Sequence, residues 1–464
     1  MDLRPFRAKR VTRLNPDMPP DTVIKPRTLR LTSLINIIFF VMVGHRSAFP
    51  DDWPHWRGPN RNGISQETSG YQDGRWKLRE SWSGAFGDGA SSPIIAEGKL
   101  FTMGWRANQE HVFAADAATG ASVWTASYPA PRYGRFATGD QDFYAGPSST
   151  PEFDSTTGFL YTLGIDGDLN CWDSRSKGRK VWHLNLYQRF GVGLRPQATT
   201  RPGSQRDYGY TTAPYLHREW VIIEVGDEEG NLMAFDKRTG ERAWVSENKD
   251  PAGHAGGMAP MVVEGIPCVA VLTLKGLHVA RLDQGNEGKT VATYPWTTDF
   301  ANGIASPAVH QNFVVISSGY NRSSMVKLRV TMKGAERVWQ VRSFSPVCTP
   351  VIHQGSIYWS ARGLWRLDFE TGEVKWNGGR FGDAAGSCVV TADDRILVWA
   401  NEGDLALAET ASRARDDYKE LAWNGGILKA EAWPAVVLSG GRIYCKDRAG
   451  NLKCLAVNPK PSAD

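Results

Sequence analysis

The sequence is poor in the residues that most often announce chemistry. Among 464 residues there are six Cys and nine His. No Cys-x-x-Cys-His occurs, which excludes a covalently attached c-type haem. Neither a Gly-x-Ser-x-Gly elbow nor a His-Glu-x-x-His helix is present, so the common serine-hydrolase and zinc-protease signatures are missing. No Asp/Asn run of EF-hand type appears; Asp166-Gly-Asp168 and Glu402-Gly-Asp404 read as hairpin turns, and no metal site is expected. Beyond residue 50 no long amphipathic helix can be traced. No Cys precedes Cys171, and no paired arginines precede the first apolar run, which removes lipidation at a processed N-terminal Cys and twin-arginine export.

A basic surface is missing too. The formal charge is +5, but residues 1–48 hold nine Lys/Arg and three Asp/Glu, a net +6. The rest holds 45 against 46, a net −1, so the basic character belongs to the leader and a nucleic-acid partner is not expected.

That leader carries scattered Arg and Pro, then the apolar run 34–43, too short to span a bilayer comfortably. It matches the h-region of a Sec-type signal ending near Ala48, with Met18 an alternative start. The expectation is a periplasmic or secreted chain; the alternative is an uncleaved anchor over 31–44. We divide the chain into this leader (1–48), a repeat domain (49–459) and a tail (460–464). In an oxidising compartment, Cys445 and Cys454 flank a Gly-Asn turn and are a candidate disulfide across a hairpin; two free thiols is the other reading.

What is abundant is Trp, with 18 residues, and Gly, with 48. They belong to a recurring phrase. A small-residue triplet ending in Pro opens each unit, as in Ser91-Ser92-Pro93, Ser149-Thr150-Pro151, Thr212-Ala213-Pro214, Ala305-Ser306-Pro307 and Cys348-Thr349-Pro350. The unit closes with Asp-x-x-Thr-Gly and a Trp four residues later, as in Asp116…Gly120…Trp124, Asp236…Gly240…Trp244 and Asp368…Gly372…Trp376. In this turn the Asp and Thr side chains hold backbone amides and Gly takes positive φ. Between opening and closing lie short alternating strands around Gly-Asp or Gly-Asn turns. Four strands per unit, repeated eight times, predict an all-β, eight-bladed propeller. The last unit lacks its closing Trp, and Arg79-Glu-Ser-Trp82 supplies the missing strand, so an N-terminal strand should complete the C-terminal blade.

The Pro triplets and the Asp-x-x-Thr-Gly-x-x-x-Trp closings resemble the PQQ-like repeats of the quinoprotein alcohol dehydrogenase-like superfamily, which also includes the propeller subunit of outer-membrane assembly machinery. Trp53-Pro-His-Trp56-Arg-Gly-Pro-Asn-Arg-Asn-Gly63 is similar to the leading segment of secreted bacterial propellers of this kind. The resemblance implies that Trp82, Trp124, Trp182, Trp244, Trp339 and Trp376 dock between neighbouring blades. It also implies pyrroloquinoline quinone (PQQ) with calcium as a cofactor, held beside an adjacent Cys pair. No two Cys are adjacent here, which argues against catalysis.

In such a ring, the links from each closing Trp to the next triplet emerge on one face around the channel mouth. Two of them, 125–146 and 183–210, are much longer than the rest and alternate Arg with aromatics; long links of this composition suit anionic or ring-shaped ligands and protein interfaces. The ligand-face candidates are Tyr133, Arg135, Asp140, Asp142, Tyr144, Arg195, Arg206, Tyr208 and Tyr210, with His254 on the same side. The expected function is an exported, monomeric binding or interaction module for a small molecule, a carbohydrate or an envelope protein. The alternatives are a PQQ-dependent alcohol or sugar dehydrogenase, and a scaffold for outer-membrane protein assembly.

Overall fold

A computed structural model describes residues 52–134, 145–193, 207–383 and 386–458. The described residues form eight four-stranded antiparallel sheets. Seven of the sheets follow chain order from a short first strand at the axis to a more exposed fourth strand, the eighth takes its outer strand from the start of the domain, and first strands of several neighbouring sheets contact one another around that axis. This is the eight-bladed propeller anticipated from the repeat.

The ring closes as its missing Trp required. Strand Leu78–Ala85 pairs with Asn451–Val457, with Trp82 opposite Cys454 and Gly84 opposite Leu452. The last blade therefore combines the two ends of the repeat domain, and no blade is left with an open seam.

Local chemistry explains the turns. Asp116 Oδ1 accepts from the Thr119 amide at 2.9 Å and from the Thr119 hydroxyl at 2.8 Å, while Gly120 takes φ +73°. The same pair of bonds recurs at Asp368 and Thr371. The tight glycine turn leaves room for an indole. A Cβ on Gly120 would lie 2.6 Å from the Trp82 ring of the preceding blade, and one on Gly178 would lie 2.4 Å from Trp124. Trp182 covers Gly240, and Trp339 covers Gly372, in the same way. The indole nitrogens of Trp82 and Trp339 donate to the carbonyls of Ala117 and Phe369, both at 3.1 Å, and that of Trp376 donates to Ala414 at 3.0 Å. Trp244 packs its ring near Gly288. Each closing Trp thus seats on the outer turn of the next blade, burying flat apolar area where two sheets meet.

The hairpin cysteines do not pair. Cys445 lies opposite Lys453 and Cys454 opposite Tyr444, so the two thiols point to opposite faces of their sheet. Both are buried free thiols, and the candidate disulfide is corrected on that ground.

Candidate functional site at the channel axis

The small triplets do more than begin strands. The Ser92 amide donates to Thr150 Oγ1 at 3.3 Å, and the Ser149 hydroxyl to the Thr212 carbonyl at 3.3 Å. The Ala213 amide donates to the Gly256 carbonyl at 3.1 Å, and the Gly257 amide to Ser306 Oγ at 3.0 Å. Ser306 continues the series to Thr349 Oγ1 at 3.0 Å. On the closing side, Val436 donates to Ser387 Oγ at 2.9 Å and Ala435 to Ser92 Oγ at 2.8 Å. These bonds make a polar girdle from blade to blade, which only short hydroxyl-bearing side chains and exposed amides can reach across the narrow axis. At the seam between blades six and seven, the contact between opening segments is made by two thiols, Cys348 and Cys388, with sulfurs 3.9 Å apart.

One end of the channel is closed by the segment after residue 52. Trp53 exchanges backbone hydrogen bonds with Ile95 at 2.8 and 2.9 Å. Trp56 lays its ring against Gly256 and Gly257, where a Cβ would come within 3.0 and 2.9 Å. Arg57 Nη2 donates to the Pro350 carbonyl at 2.6 Å, and Arg61 reaches the buried Glu152 carboxylate. The Ser65 amide donates to Val390 at 2.8 Å, and Glu67 accepts from the amides of Gly440 and Gly441 at 2.6 and 2.7 Å. The segment therefore touches blades one, two, four, six, seven and eight. Burial by itself would raise the Glu152 carboxyl, but Arg61 and His55, whose Nδ1 lies 3.0 Å away, hold it below the usual range. Burial lowers the Arg57 guanidinium to about 10.

Above this plug lies a cavity of about 150 Å³. Trp53, Trp56 and Arg57 form its floor, and all eight blades contribute to its wall. In several blades the lining residues stand three and one positions before the triplet Pro, as Ala90 with Ser92, Ser148 with Thr150, and Val347 with Thr349. That alternation is the period of an extended strand, one side chain in two pointing to the axis. Tyr208, His254 and Trp433 stand at the side from which the inter-blade links enter.

Of the candidate ligand-face residues, the structure brings Tyr208 and His254 to the cavity together. Their rings meet edge to face at 5.1 Å. His254 Nε2 lies 3.2 Å from the Tyr208 amide nitrogen and 3.5 Å from Asp207 Oδ1, and Nδ1 lies 3.0 Å from the Ala301 carbonyl. Tyr210 is corrected: it is buried in the interface of blades two and three, its hydroxyl donating to Val225 at 2.9 Å, and does not line the cavity. Two residues apart in a regular strand, Tyr208 and Tyr210 would share a side; the bend at Gly209, φ +75°, separates them and sends Tyr210 into the core. Tyr133 stacks under the Arg132 guanidinium at 5.4 Å, away from the cavity lining. Arg135, Asp140, Asp142, Tyr144, Arg195 and Arg206 lie outside the described residues. Sequence reasoning did not place Trp53, Trp56 and Arg57 in a site, although their motif stood out; nothing local says that the segment turns into the channel.

The cavity wall fits the implied cofactor poorly. Among the described residues it carries no Asp or Glu to ligate calcium or to serve as a base. No cluster of His, Cys, Asp and Glu suited to a metal occurs among them either. A volume of about 150 Å³ is also below the ~300–1,000 Å³ of pockets for drug-sized ligands.

The fold and its plugged axial cavity define a PQQ-like-repeat propeller. The family described as outer membrane protein assembly factor BamB matches residues 108–378, more than half of the chain, and the chain belongs to it. BamB from Moraxella catarrhalis superposes with a TM-score of 0.56 at 12% identity, over 82% of this chain and 100% of that one. The quinohemoprotein alcohol dehydrogenase of Comamonas testosteroni superposes with a TM-score of 0.58 at 15% identity, over 90% and 82%. The C-terminal WD40 domain of Sif2 gives 0.53 at 9% identity, over 82% and 99%. At these identities the likeness is one of fold. No curated protein sequence matches the chain. Among the described residues no helix is long and apolar enough to cross a membrane.

Proposed function

We propose that the chain is a ligand-binding propeller of the bacterial envelope whose axial cavity takes one sugar-sized ring. The observation that carries this reading is the cavity's composition: indoles at its floor and rim, hydroxyls of Ser92, Thr150, Thr211 and Thr349 around its wall, and one guanidinium. Aromatic faces stack on the apolar face of a sugar ring, and a girdle of short hydroxyls serves its hydroxyl groups. The envelope location rests on family membership together with the basic, then apolar, leader.

Titration of the purified chain with a panel of monosaccharides, followed by tryptophan fluorescence and by Tm, tests this. Saturable quenching by one or more sugars, lost in Trp56→Ala, is the expected result. No response from any sugar at millimolar concentration sinks the reading. Family membership favours a second reading, a scaffold in outer-membrane protein assembly; co-purification with envelope proteins that survives Trp56→Ala would favour it over the first.

A further inference from the structure

Six buried thiols are distributed through the propeller, and most are isolated between sheet faces. Cys348 and Cys388 differ in three ways. They come from opening segments of neighbouring blades, 40 residues apart in the chain, and their sulfurs lie 3.9 Å apart. Their contact lies at the seam of blades six and seven, in line with the hydroxyl-to-amide girdle that joins the other blades. Cys388 lines the axial cavity, so one thiol of the pair faces a molecule that enters it and the other lies directly behind.

The surroundings favour reaction over inert packing. Arg57, anchored on the Pro350 carbonyl at 2.6 Å, lies beside the pair on the cavity floor. Loss of the first proton is eased because the remaining S–H and the guanidinium both stabilise the resulting thiolate. The second thiol then resists ionisation, which is the division of labour between an attacking and a resolving cysteine.

We propose that Cys348 and Cys388 are a peroxide-reactive dithiol that closes to an inter-blade disulfide across the channel wall. Hydrogen peroxide, close to water in size, is the oxidant, and it reaches the pair through the axial cavity that Cys388 lines. The thiolate attacks one peroxide oxygen and the O–O bond breaks, leaving a sulfenic acid and, after protonation, one water. The second thiol displaces hydroxide from the sulfenic sulfur, forming the S–S bond and a second water. Two thiols and one peroxide thus become one disulfide and two waters. A thiol reductant reverses the change. The link joins the opening segments of two blades whose first strands already touch and encloses a 40-residue loop, so oxidation raises Tm by a few degrees.

The experiment uses the full purified chain, pre-reduced, treated with stoichiometric hydrogen peroxide, alkylated without unfolding, and digested. The expected product is a peptide linking Cys348 to Cys388 that disappears on reduction, while Cys171, Cys268, Cys445 and Cys454 remain alkylatable after denaturation. Cys348→Ser and Cys388→Ser each abolish the linked peptide, and each leaves its partner over-oxidised or mixed with added small thiols. Peroxide treatment that leaves both thiols free, or that yields sulfinic acid at Cys388 with Cys348 still free, overturns the proposal. Should a serine variant fail to fold, the wild-type linked peptide and its reduction decide the matter alone.

Discussion

Lys446 Nζ donates to the Ser91 carbonyl at 2.9 Å, joining the last blade to the first. Two further acceptors from the first blade, Thr102 Oγ1 at 3.1 Å and the Met103 carbonyl at 2.7 Å, complete the shell of this fully buried side chain. Burial lowers this amine to about 7, and a donor supplied by one blade and surrounded by its neighbour's oxygens is a polar seam inside an apolar one. Lys446→Met keeps the hydrocarbon body but removes the donor that three acceptors share, the Ser91 carbonyl keeping the Thr102 hydroxyl at 3.3 Å. We expect a loss of about 2–4 kcal/mol in chemical denaturation. A change below about 0.5 kcal/mol would show that water serves these oxygens equally well.

Trp82 and Gly120 form a testable pair across the same closure. Gly120→Ala strains a positive φ and drives a methyl into the indole. In the wild-type background it should cost more than the ~1 kcal/mol of turn strain alone. With Trp82→Ala already present, the steric part of that cost should vanish. A double-mutant cycle should therefore give a coupling of at least about 1 kcal/mol. Additive effects would mean that the Trp does not seat on this turn in solution.

Arg61 and Glu152 hold the channel plug to the second blade, both almost fully buried. Arg61→Met leaves the buried carboxylate with His55 and the Leu216 amide and without its guanidinium, and should destabilise by about 3–5 kcal/mol. Arg61→Met combined with Glu152→Met should recover most of that loss, since no charge then remains unpaired. Because the folded pKa of Glu152 is lowered, its stabilising contribution is present above the unfolded value of 4.5 and is lost as pH falls through the folded one. Acid denaturation of the wild type should thus begin at higher pH than that of the double variant.

Glu110 behaves in the opposite sense. Burial raises its carboxyl to about 7, against the opposing pull of the Tyr128 hydroxyl at 2.6 Å and the Ile165 amide. Below 4.5 both states are protonated; between 4.5 and 7 the unfolded chain ionises first. Stability from this group is therefore full below about 4.5 and lost as pH rises through about 7. The wild type minus Glu110→Gln difference in unfolding free energy should shrink by about 3–4 kcal/mol across that window, at ~1.4 kcal/mol per pH unit of separation. A flat difference would reject the shift.

Much of this architecture was legible because it is written locally. The Asp116–Thr119–Gly120 turn satisfies its own amides within five residues, and Trp124 follows at a fixed distance in the chain. Repetition of such a phrase leaves few ways to bury eighteen indoles other than between stacked sheets. The strand supplied by Arg79–Trp82 could likewise be assigned, because one unit lacked its closing Trp. His254 and Tyr208 come to the cavity together because both stand on links between blades, which emerge at one end of the ring.

The site was legible only in part, and the errors have physical reasons. Tyr208 and Tyr210 look alike in sequence, but a single positive-φ glycine between them sends one to the cavity and the other to the core. Cys445 and Cys454 seemed well placed across a turn, yet the offset of one residue in register turned them to opposite faces. The chain by itself thus determined blade number, turn chemistry, indole placement and ring closure, all of which depend on neighbours in sequence. Only the tertiary structure decided that Trp53–Gly63 plugs the axis, that Trp56 and Arg57 floor a cavity, and that Cys348 meets Cys388. Those contacts join residues tens to hundreds of positions apart, and a closed ring brings them together at its centre through the sum of eight blades rather than through any local preference.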